Sequence, residues 1–458
     1  MRRAVSGWGN YPVEVCDVYR PENLDELRGL LGSAPQPTLT PRGCGRSYGD
    51  AALNVEGAIV QSDRFDRMMG FDADRGILRC QAAITLADII EFFVPRGFFF
   101  PVTPGTKEVS IGGAIASDVH GKNHHRSGSM SAWVTRFTLM SAGADLISCS
   151  RDENAEIFWA TVGGMGLTGL IIDADIQLRP IETAFMAVDN ERIANLDQLL
   201  ERMAESEDAF DYSVAWVDSM AAGASLGRSV LMRANHANRE ELPVGERDRP
   251  LTFLQKKRPG LPFRLPNFTL SPTALRAANA VFYATHPTRK SIGPCDAFFY
   301  PLDSVRNWNR GYGSRGVLQY QCVIPESCAR AGTIALLEAL TSSGVGSFLT
   351  VLKTLGPGNE GLLSFPMRGH TLALDIPNTG PEVIEALRRL DEIVLGFGGR
   401  VYLAKDACMT AATFEQMYPR LPDFKRIKRR LDPEGRFSSS QARRLGLVDG
   451  AERGGGPR

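Results

Sequence analysis

The stretch Arg42-Gly43-Cys44-Gly45-Arg46-Ser47-Tyr48-Gly49-Asp50 places three glycines among polar residues, directly after the short apolar run at 37–40. Because glycine has no Cβ, a loop of this kind can bring several backbone N–H groups close to one anion. A pyrophosphate suits such a loop, so a dinucleotide cofactor is the first hypothesis. Taken alone, the loop is equally compatible with a plain surface turn.

A Rossmann fingerprint does not explain this loop. That fingerprint requires a strand, a tight turn and then a helix whose N-terminus faces the phosphates. Residues 51–60 carry no amphipathic helical pattern and lead into another strand-like run. The sequence therefore favours a different architecture around the glycines.

Bulk properties exclude several classes of function. The 458 residues are enough for two or three domains and include 52 basic and 52 acidic residues, so no nucleic-acid partner is expected. No apolar run reaches the roughly 20 residues of a membrane span, and the N-terminus lacks the apolar segment of a secretory signal. The eight cysteines form no CxxC pair, which favours reduced thiols. We predict a cytoplasmic protein. The alternatives are a peripheral position at the inner face of the membrane and a periplasmic location.

The sequence predicts alternating strands and helices over the first 180 residues, with helices at 21–33 and 85–95 and strands near 37–40, 58–62 and 77–81. A second segment has strands at 318–324 and 346–353 and helices at 328–342 and 381–396. The predicted boundaries are a first domain at 1–183, a substrate-binding domain at 184–399 with a mobile loop at 236–272, and a return to the first domain at 400–458. The tail 451–458 is predicted to be disordered.

Two further glycine clusters strengthen the cofactor hypothesis. Gly105, Gly112 and Gly113 lie in the segment 101–125, where Ser110 is suited to cap a helix that begins near Ile111 and points its positive end at an anion. The third cluster, 163–169, precedes an apolar strand at 170–172. Three such clusters within about 130 residues are difficult to explain as turns.

These segments resemble the FAD-binding signature of the vanillyl-alcohol-oxidase-type flavoproteins. Within that superfamily, five strings are similar to the branch that oxidises the ribose of a polyprenyl-phosphate sugar: Gly-Arg-Ser-Tyr-Gly-Asp at 45–50, His-Gly-Lys-Asn-His-His at 120–125, Phe-Trp-Ala-Thr-Val-Gly-Gly at 158–164, Leu-Gln-Tyr-Gln at 318–321 and Ala-Lys-Asp at 404–406. A late Asp432-Pro433 followed by Phe437 fits the same plan. The resemblance covers nearly the whole chain.

The resemblance implies an α+β fold, with a two-lobed FAD-binding domain and an inserted α+β substrate domain built on an antiparallel sheet. Many superfamily members bond the flavin to a histidine at the slot that is Arg46 here, so the resemblance implies non-covalent FAD. The predicted cofactor-binding residues are Arg42, Gly43, Cys44, Gly45, Arg46, Ser47, Tyr48, Gly49, Asp50, Gly105, Ser110, Ile111, Gly112, Gly113, Ser117, Asp118, Val119, His120, Ile171 and Tyr402.

The resemblance places Lys405 between flavin and substrate, His120 beside the flavin and Lys122 near the sugar. Lys405 is either a base, if its pKa is depressed, or a cation that stabilises flavin charge or the substrate oxygen. A zinc site at His120 and His124 is the competing hypothesis, but the residues between them form a poor helix and no acidic or thiol ligand stands nearby, so no metal is predicted. For His124 and His125 we expect structural hydrogen bonds.

Gln319 and Gln321 alternate along a predicted strand, so both amides point to one face, either wet or lining a polar pocket. In the family this strand lines the sugar site, which favours a catalytic-site position for Gln321. Lys353 is a candidate contact for the substrate phosphate. The remaining candidates for the sugar or flavin wall are Tyr48, Trp216, Tyr312 and Tyr402, each of which core packing explains equally well.

Two positions depart from the family pattern. Thr371 stands where the family commonly has Asn, and Ala373 where it commonly has Cys. A thiol-directed inhibitor that traps that cysteine is therefore expected to find no target at Ala373. If the protein is active, that thiol is not required for hydride transfer.

The predicted function is FAD-dependent oxidation of the ribose 2-hydroxyl of a polyprenylphosphoryl-β-D-ribose to the 2-keto sugar. By resemblance, a separate NAD(P)H-dependent short-chain reductase completes the epimerisation to an arabinose donor used for cell-wall arabinan. The lipid substrate implies peripheral membrane contact. The 236–272 loop, with its basic patch Lys256-Lys257-Arg258, is the candidate for this contact, and the alternative is that the patch is a solvated linker. The alternatives are a soluble sugar, alditol or aldonolactone oxidase, and a flavin-binding subunit without activity.

Overall fold

The computed structural model describes residues 1–253, 258–347 and 349–448. The predicted tail at 451–458, Lys256 and Lys257 lie outside these residues. The strands are β1 (Arg2–Ser6), β2 (Val13–Tyr19), β3 (Leu39–Arg42), β4 (Ala58–Gln61), β5 (Met68–Asp72), β6 (Ile77–Gln81), β7 (Phe98–Phe99), β8 (Val134–Met140), β9 (Leu146–Ser150), β10 (Leu170–Gln177), β11 (Arg179–Pro180), β12 (Phe185–Ile193), β13 (Tyr212–Val217), β14 (Ser229–His236), β15 (Arg289–Pro294), β16 (Val317–Pro325), β17 (Thr350–Leu355), β18 (Gly369–Pro377) and β19 (Arg400–Val401).

The helices are α1 (Leu24–Ser33), α2 (Leu86–Phe93), α3 (Ile111–Ala116), α4 (His124–Ser127), α5 (Ala155–Thr161), α6 (Leu196–Glu205), α7 (Pro272–Thr285), α8 (Cys295–Phe299), α9 (Ala329–Ser343), α10 (Pro381–Gly396), α11 (Ala411–Met417), α12 (Leu421–Leu431) and α13 (Ser440–Arg444).

The described amino-terminal part contains two larger sheets and the short antiparallel pair β7–β11. β1, β2, β4 and β3 form a mixed sheet in that order, in which β4 pairs in parallel with both β2 and β3. β5, β6, β10, β8 and β9 form an antiparallel sheet. The first helix begins at Leu24 rather than near Pro21, because the Asn23 side chain accepts hydrogen bonds from the N–H groups of Asp25 and Glu26.

The large sheet is antiparallel throughout, in the order β15-β12-β14-β13-β17-β18-β16-β19. One of its faces is buried against α6, α9 and α10, whose apolar side chains share a core with Ala215, Leu231 and Leu318. Because side chains alternate along a strand, the neighbouring residues of these strands point to the opposite face. The predicted α+β class and the antiparallel inserted sheet are confirmed.

The carboxy-terminal segment packs onto the first sheet. Leu39 pairs with Phe437, and the Leu39 N–H donates to Arg436 O while the Ser438 N–H donates to Leu39 O. The Arg444 guanidinium donates to Asp50 and to Asp406. These contacts fix the position of the segment around residue 405 relative to the first glycine loop.

All eight cysteines are free. Among the described helices, none combines the length and the apolar character that crossing a bilayer requires.

Candidate active site

A cavity of about 890 Å³ lies between the glycine-rich loops and the free face of the large sheet. Its first wall consists of residues 41–48, the segment 103–122 and residues near Ile171. Strands β13, β17, β18 and β16 supply the opposite wall, and residues 402–405 lie between the two. The three glycine clusters and the predicted polar residues therefore face one space.

The first glycine loop forms an open cradle. A Cβ at Gly43 would lie 2.1 Å from Ser110 Oγ, so only glycine fits this close approach. Among the described residues, no group accepts a hydrogen bond from the backbone N–H groups of residues 43–47. Five consecutive N–H groups of this kind, at the edge of a large cavity, are suited to hold an anion.

The expected anion site at the N-terminus of α3 is not formed. Ser110 does cap the helix, accepting from the Gly113 N–H, and the helix does begin at Ile111. However, the N–H groups of Ile111 and Gly112 donate to Ile84 O and Ala82 O of a neighbouring loop. These two N–H groups are therefore not free to bind an anion. Gly112 and Gly113 instead allow the helix to pack closely, because a Cβ at these positions would lie 3.1 Å from Ala82 Cβ and 3.0 Å from Ser110 Oγ.

Most of the predicted cofactor-binding residues line the cavity. These are Arg42, Gly43, Cys44, Gly45, Arg46, Ser47, Tyr48, Gly105, Ser110, Gly112, Gly113, Ser117, Val119, His120, Ile171 and Tyr402. Gly49, Asp50, Ile111 and Asp118 are not among the described residues of its lining. Asp50 pairs with Arg444, and Asp118 accepts hydrogen bonds from Ser129 and Asn359, so both carboxylates are used to join segments of the chain.

His120 is neutral and its hydrogen bonding is defined. Burial and the nearby lysines hold its pKa well below the usual range. The amide Nε2 of Gln321 lies 2.8 Å from the Nε2 of His120 and 3.0 Å from Thr371 Oγ1. Because the amide nitrogen only donates, the ring Nε2 accepts and the ring proton is on Nδ1. That Nδ1 is buried and has no hydrogen-bond partner among the described residues.

Three half-buried amines converge on the same cavity: Lys122, Lys353 and Lys405. Desolvation and mutual repulsion lower the pKa of Lys122 to about 7 and that of Lys353 to about 8, and desolvation lowers that of Lys405 to about 8. The buried Lys107 and Lys428 pair with Asp296 and Asp432. By contrast, the three cavity amines form no ion pair with a carboxylate of the described chain.

Lys405 is positioned by a chain of buried polar groups. Its Nζ lies 4.4 Å from the centroid of the Tyr48 ring. The Tyr48 and Tyr312 hydroxyls are 3.1 Å apart, and the Tyr312 hydroxyl and the Gln319 amide both donate to the Asp375 carboxylate. Asp375 is fully buried, and its charge opposes the depression of the Lys405 pKa. The network therefore holds the Tyr48 ring against the amine, and Asp375 partly offsets the desolvation that lowers the Lys405 pKa.

Lys122 and the two other histidines are held by backbone groups. The Lys122 Nζ donates to the carbonyls of Phe298 and Phe299, both at 2.9 Å. His124 Nδ1 accepts from the Gly356 N–H, and His125 Nε2 lies 3.1 Å from Phe210 O. Among the described residues, no group of three His, Cys, Asp or Glu side chains is arranged to hold a metal ion.

The aromatic candidates occupy different places. Tyr48, Trp216 and Tyr402 line the cavity, and the Tyr402 hydroxyl donates to Ser117 O. Tyr312 is not part of the described lining and acts through Tyr48 and Asp375. Gln319, Gln321 and Ala373 lie on the cavity face, and Thr371 sits behind Gln321.

Two features of the site were missed by the sequence analysis. Asp375 is an acidic residue that directly follows the apolar run 372–374 in strand β18, and this signal was available in the sequence. The carbonyls of Phe298 and Phe299, in contrast, carry no residue-type signal, because a backbone acceptor is present at every position.

The open cradle fits FAD. The unpartnered N–H groups of residues 43–47 match a pyrophosphate, and the close approach at Gly43 matches an extended cofactor. The residue at the slot used elsewhere for a covalent histidine is Arg46, whose guanidinium lies 3.9 Å from the Trp8 ring centroid.

Comparisons with known proteins agree with this geometry. The profile of a FAD binding domain matches residues 17–150, and that of D-arabinono-1,4-lactone oxidase matches residues 380–445. The decaprenylphosphoryl-β-D-ribose oxidase of Mycolicibacterium smegmatis is 35% identical over 452 residues, 97% of this chain and 98% of that protein. The alditol oxidase of a Streptomyces species is 24% identical over 98% of this chain and 100% of its own, and the L-gulonolactone oxidase of Mus musculus is 24% identical over 92% and 93%.

Proposed function

The chain belongs to the decaprenylphosphoryl-β-D-ribose oxidase family of FAD-dependent oxidases, and from this premise we propose that it oxidises the 2-hydroxyl of a polyprenylphosphoryl-β-D-ribose to a 2-keto sugar. The predicted resemblance to the vanillyl-alcohol-oxidase-type superfamily is confirmed, as is the FAD-dependent oxidation of a sugar CH–OH group. The position oxidised and the identity of the substrate are the proposal.

One observation carries the proposal: three half-buried amines, with pKa values lowered by desolvation and without carboxylate partners, share a cavity with the FAD cradle. Uncompensated buried charge is costly, so such a cluster is stabilised by an anionic ligand. A neutral sugar or alditol offers no anion. A ribosyl phosphodiester does, and Lys353 and Lys122 are the amines that we assign to its phosphate.

In this mechanism Lys405 removes the hydroxyl proton. With a pKa of about 8, its neutral form is accessible near neutral pH, whereas His120 Nε2 is already engaged by Gln321. FAD held by the cradle at residues 43–47 would supply the acceptor for the hydride that leaves the sugar carbon, and so would take up both electrons of the oxidation. We assign Gln319 and Gln321, which line the cavity from β16, to contact the sugar hydroxyls. The products are the 2-keto sugar and a protonated Lys405.

The alternative is a soluble alditol or aldonolactone oxidase. Its support is the match of residues 380–445 to the lactone-oxidase profile and the similarity to the alditol oxidase. The unpaired amines favour the phosphate substrate. A separate NAD(P)H-dependent short-chain reductase is proposed to consume the keto product, because a 2-keto sugar must be reduced to complete an epimerisation.

Anaerobic mixing with a prenylphosphoryl ribose tests the function. The expected result is bleaching of the flavin absorbance and a sugar product two mass units lighter by mass spectrometry. Bleaching by xylitol or by an aldonolactone, with none by the ribosyl phosphodiester, would establish the alternative oxidase instead.

We predict that the flavin is held without a covalent bond. Because Arg46 cannot form the histidyl linkage, acid precipitation should release all the flavin into the supernatant. The measurement is the absorbance of the supernatant together with flavin fluorescence of the protein band on a denaturing gel. A fluorescent band would contradict the assignment of Arg46.

The dissociation constant of the phosphodiester substrate should depend on pH. The phosphodiester keeps its single negative charge, whereas Lys122 and Lys353 are charged below their pKa values of about 7 and about 8 and lose that charge as pH rises through them. Affinity is therefore full at low pH and should fall roughly tenfold from pH 6.5 to pH 9. The measurement is the substrate dependence of flavin reduction at each pH, and a constant affinity would rule out the amines as the phosphate site.

We also propose peripheral contact with an anionic membrane through the 236–272 segment. Phe263 and Phe268 are 63% and 73% exposed, and Arg264 beside them is exposed as well. Apolar side chains flanked by basic ones are typical of surfaces that bind the lipid headgroup region. Of the basic patch noted in the sequence, Arg258 pairs with Glu108.

Co-sedimentation with vesicles tests this surface. Wild-type protein should bind phosphatidylglycerol vesicles more than phosphatidylcholine vesicles, and the double variant F263S/F268S should lose most of the binding. Val55→Ser, at another exposed apolar residue outside the segment, is the control. Equal binding by the double variant would exclude this surface.

A further inference from the structure

The cavity continues past the amines into a second, apolar arm. Beyond Lys353 it is lined on the sheet side by Val214 and Trp216 of β13 and by Met232 of β14, and on the other side by Ala278 and Phe282 of α7. The alternate residues of the same strands, Ala215 and Leu231, point into the core on the other face. This arm is not needed to hold a flavin or a ribose.

The register of the strands shows where the polar lining gives way to an apolar one. Gln321, Ala373, Val351 and Trp216 pair in one row across β16, β18, β17 and β13. With neighbouring strands about 4.8 Å apart, Trp216 lies about 14 Å across the sheet from Gln321. Val214, two residues before Trp216 in β13, pairs with Met232 of the neighbouring strand β14. Polar side chains also line this end of the cavity, namely Asn190 and Ser291 on the strands beyond Met232 and Asn279 and His286 on the helix side.

Helix α7 forms the roof of the arm. Asn279 anchors it by donating to Asp218 and to Ser347 O, and the Phe282 ring lies 4.5 Å from the Trp216 ring by centroid distance. The outer face of the helix is exposed, and it carries Val281, which is 62% exposed, and Arg276. The arm therefore runs between a buried sheet face and a helix at the protein surface.

We propose that this arm binds the first isoprene units of a polyprenyl phosphate, with Trp216, Met232 and Phe282 in contact with the hydrocarbon. The inference rests on the proposed function, which supplies the amphipathic substrate. The order of the lining matches that substrate: the sugar lies over β16 and β18, the phosphate at Lys353 and the chain over β13 and β14. A ligand without a chain leaves the apolar arm filled with water, which is unfavourable for apolar walls.

Two variants of α7 probe the arm without touching the amines or the flavin cradle. Ala278 is exposed on the helix surface and lines the arm, so Ala278→Trp should obstruct the arm in a folded protein. Phe282→Glu places a charge where the chain would lie. Ala280→Trp, at an exposed helical position outside the described lining, is the matched control.

Calorimetric titration of the FAD-loaded full chain with farnesyl monophosphate and with methyl phosphate tests the proposal. Wild type and A280W should bind the farnesyl compound about 100-fold more tightly than methyl phosphate. A278W and F282E should lose at least about tenfold for the farnesyl compound and bind methyl phosphate unchanged. If both variants keep wild-type affinity for farnesyl monophosphate, or if their affinity for methyl phosphate falls by the same factor, the arm does not bind the isoprene chain.

This binding assay needs no sugar chemistry, so it fails separately from the proposed function. Suppose that farnesyl binding depends on α7 but that no ribosyl phosphodiester reduces the flavin. The proposed function would then be wrong, and the assignment of the hydrocarbon site would still hold. If the ribosyl phosphodiester reduces the flavin, but A278W and F282E keep the wild-type preference for farnesyl monophosphate over methyl phosphate, the function holds and the hydrocarbon site is wrong.

Discussion

Replacing Lys405 with methionine should slow anaerobic flavin reduction by about three orders of magnitude while the protein stays yellow. The effect follows from removing the only group that we assign to take the hydroxyl proton, at an amine whose pKa of about 8 leaves part of it neutral. The cradle at residues 43–47 is untouched, so the flavin should remain bound. Stopped-flow absorbance at saturating substrate measures the limiting rate.

The variant Lys405→Arg separates the two roles of this residue. An arginine keeps the positive charge but stays protonated, so as a base it is as inactive as methionine. In wild type the limiting rate should rise with pH through about 8, because the base acts in its neutral form. Near-wild-type reduction by K405R, or a rate that falls as pH rises, would show that Lys405 acts as a cation.

Replacing Lys353 with methionine should weaken binding of a ribosyl phosphodiester by about 10- to 150-fold, the range expected when a charge-assisted hydrogen bond is lost. The limiting rate of flavin reduction should change little, because Lys353 is assigned to the phosphate and not to the reacting carbon. The measurement is the dependence of the reduction rate on substrate concentration.

Two controls define the contact. Lys353→Arg should retain most of the affinity, since the charge is kept. For methyl β-D-ribofuranoside, which carries no phosphate, K353M and wild type should be equally poor. A loss of limiting rate with unchanged affinity would instead place Lys353 beside the reacting centre.

The sequence predicted those parts of the site that depend on local chemistry. The start of α3 followed from the cap at Ser110, and the openness of the first loop from its glycines. The acceptors of the first N–H groups of α3 were not predictable, because Ile84 O and Ala82 O belong to another loop. The same limit applies to Asp50, whose partner Arg444 is distant in the chain.

The second wall of the cavity required the sheet. Gln319 reaches Asp375 because β16 and β18 pair in a particular register, and register is not readable from composition. Tyr48 and Tyr312 join this group from segments distant in the chain. Helix α7 escaped notice although Ser271 and Pro272 are a recognisable helix start, since the neighbouring stretch resembles a loop. Family resemblance supplied Lys405 and His120, while their charge states emerged from burial.

Deuterium at the sugar tests the central claim most directly. With prenylphosphoryl ribose labelled at C2, flavin reduction should slow severalfold, and the keto product should have lost the label. The same substrate labelled at C3 should react at the unlabelled rate and keep its deuterium. An isotope effect and label loss at C3, or reduction indifferent to both labels with the sugar recovered unchanged, would contradict oxidation of the ribose 2-hydroxyl.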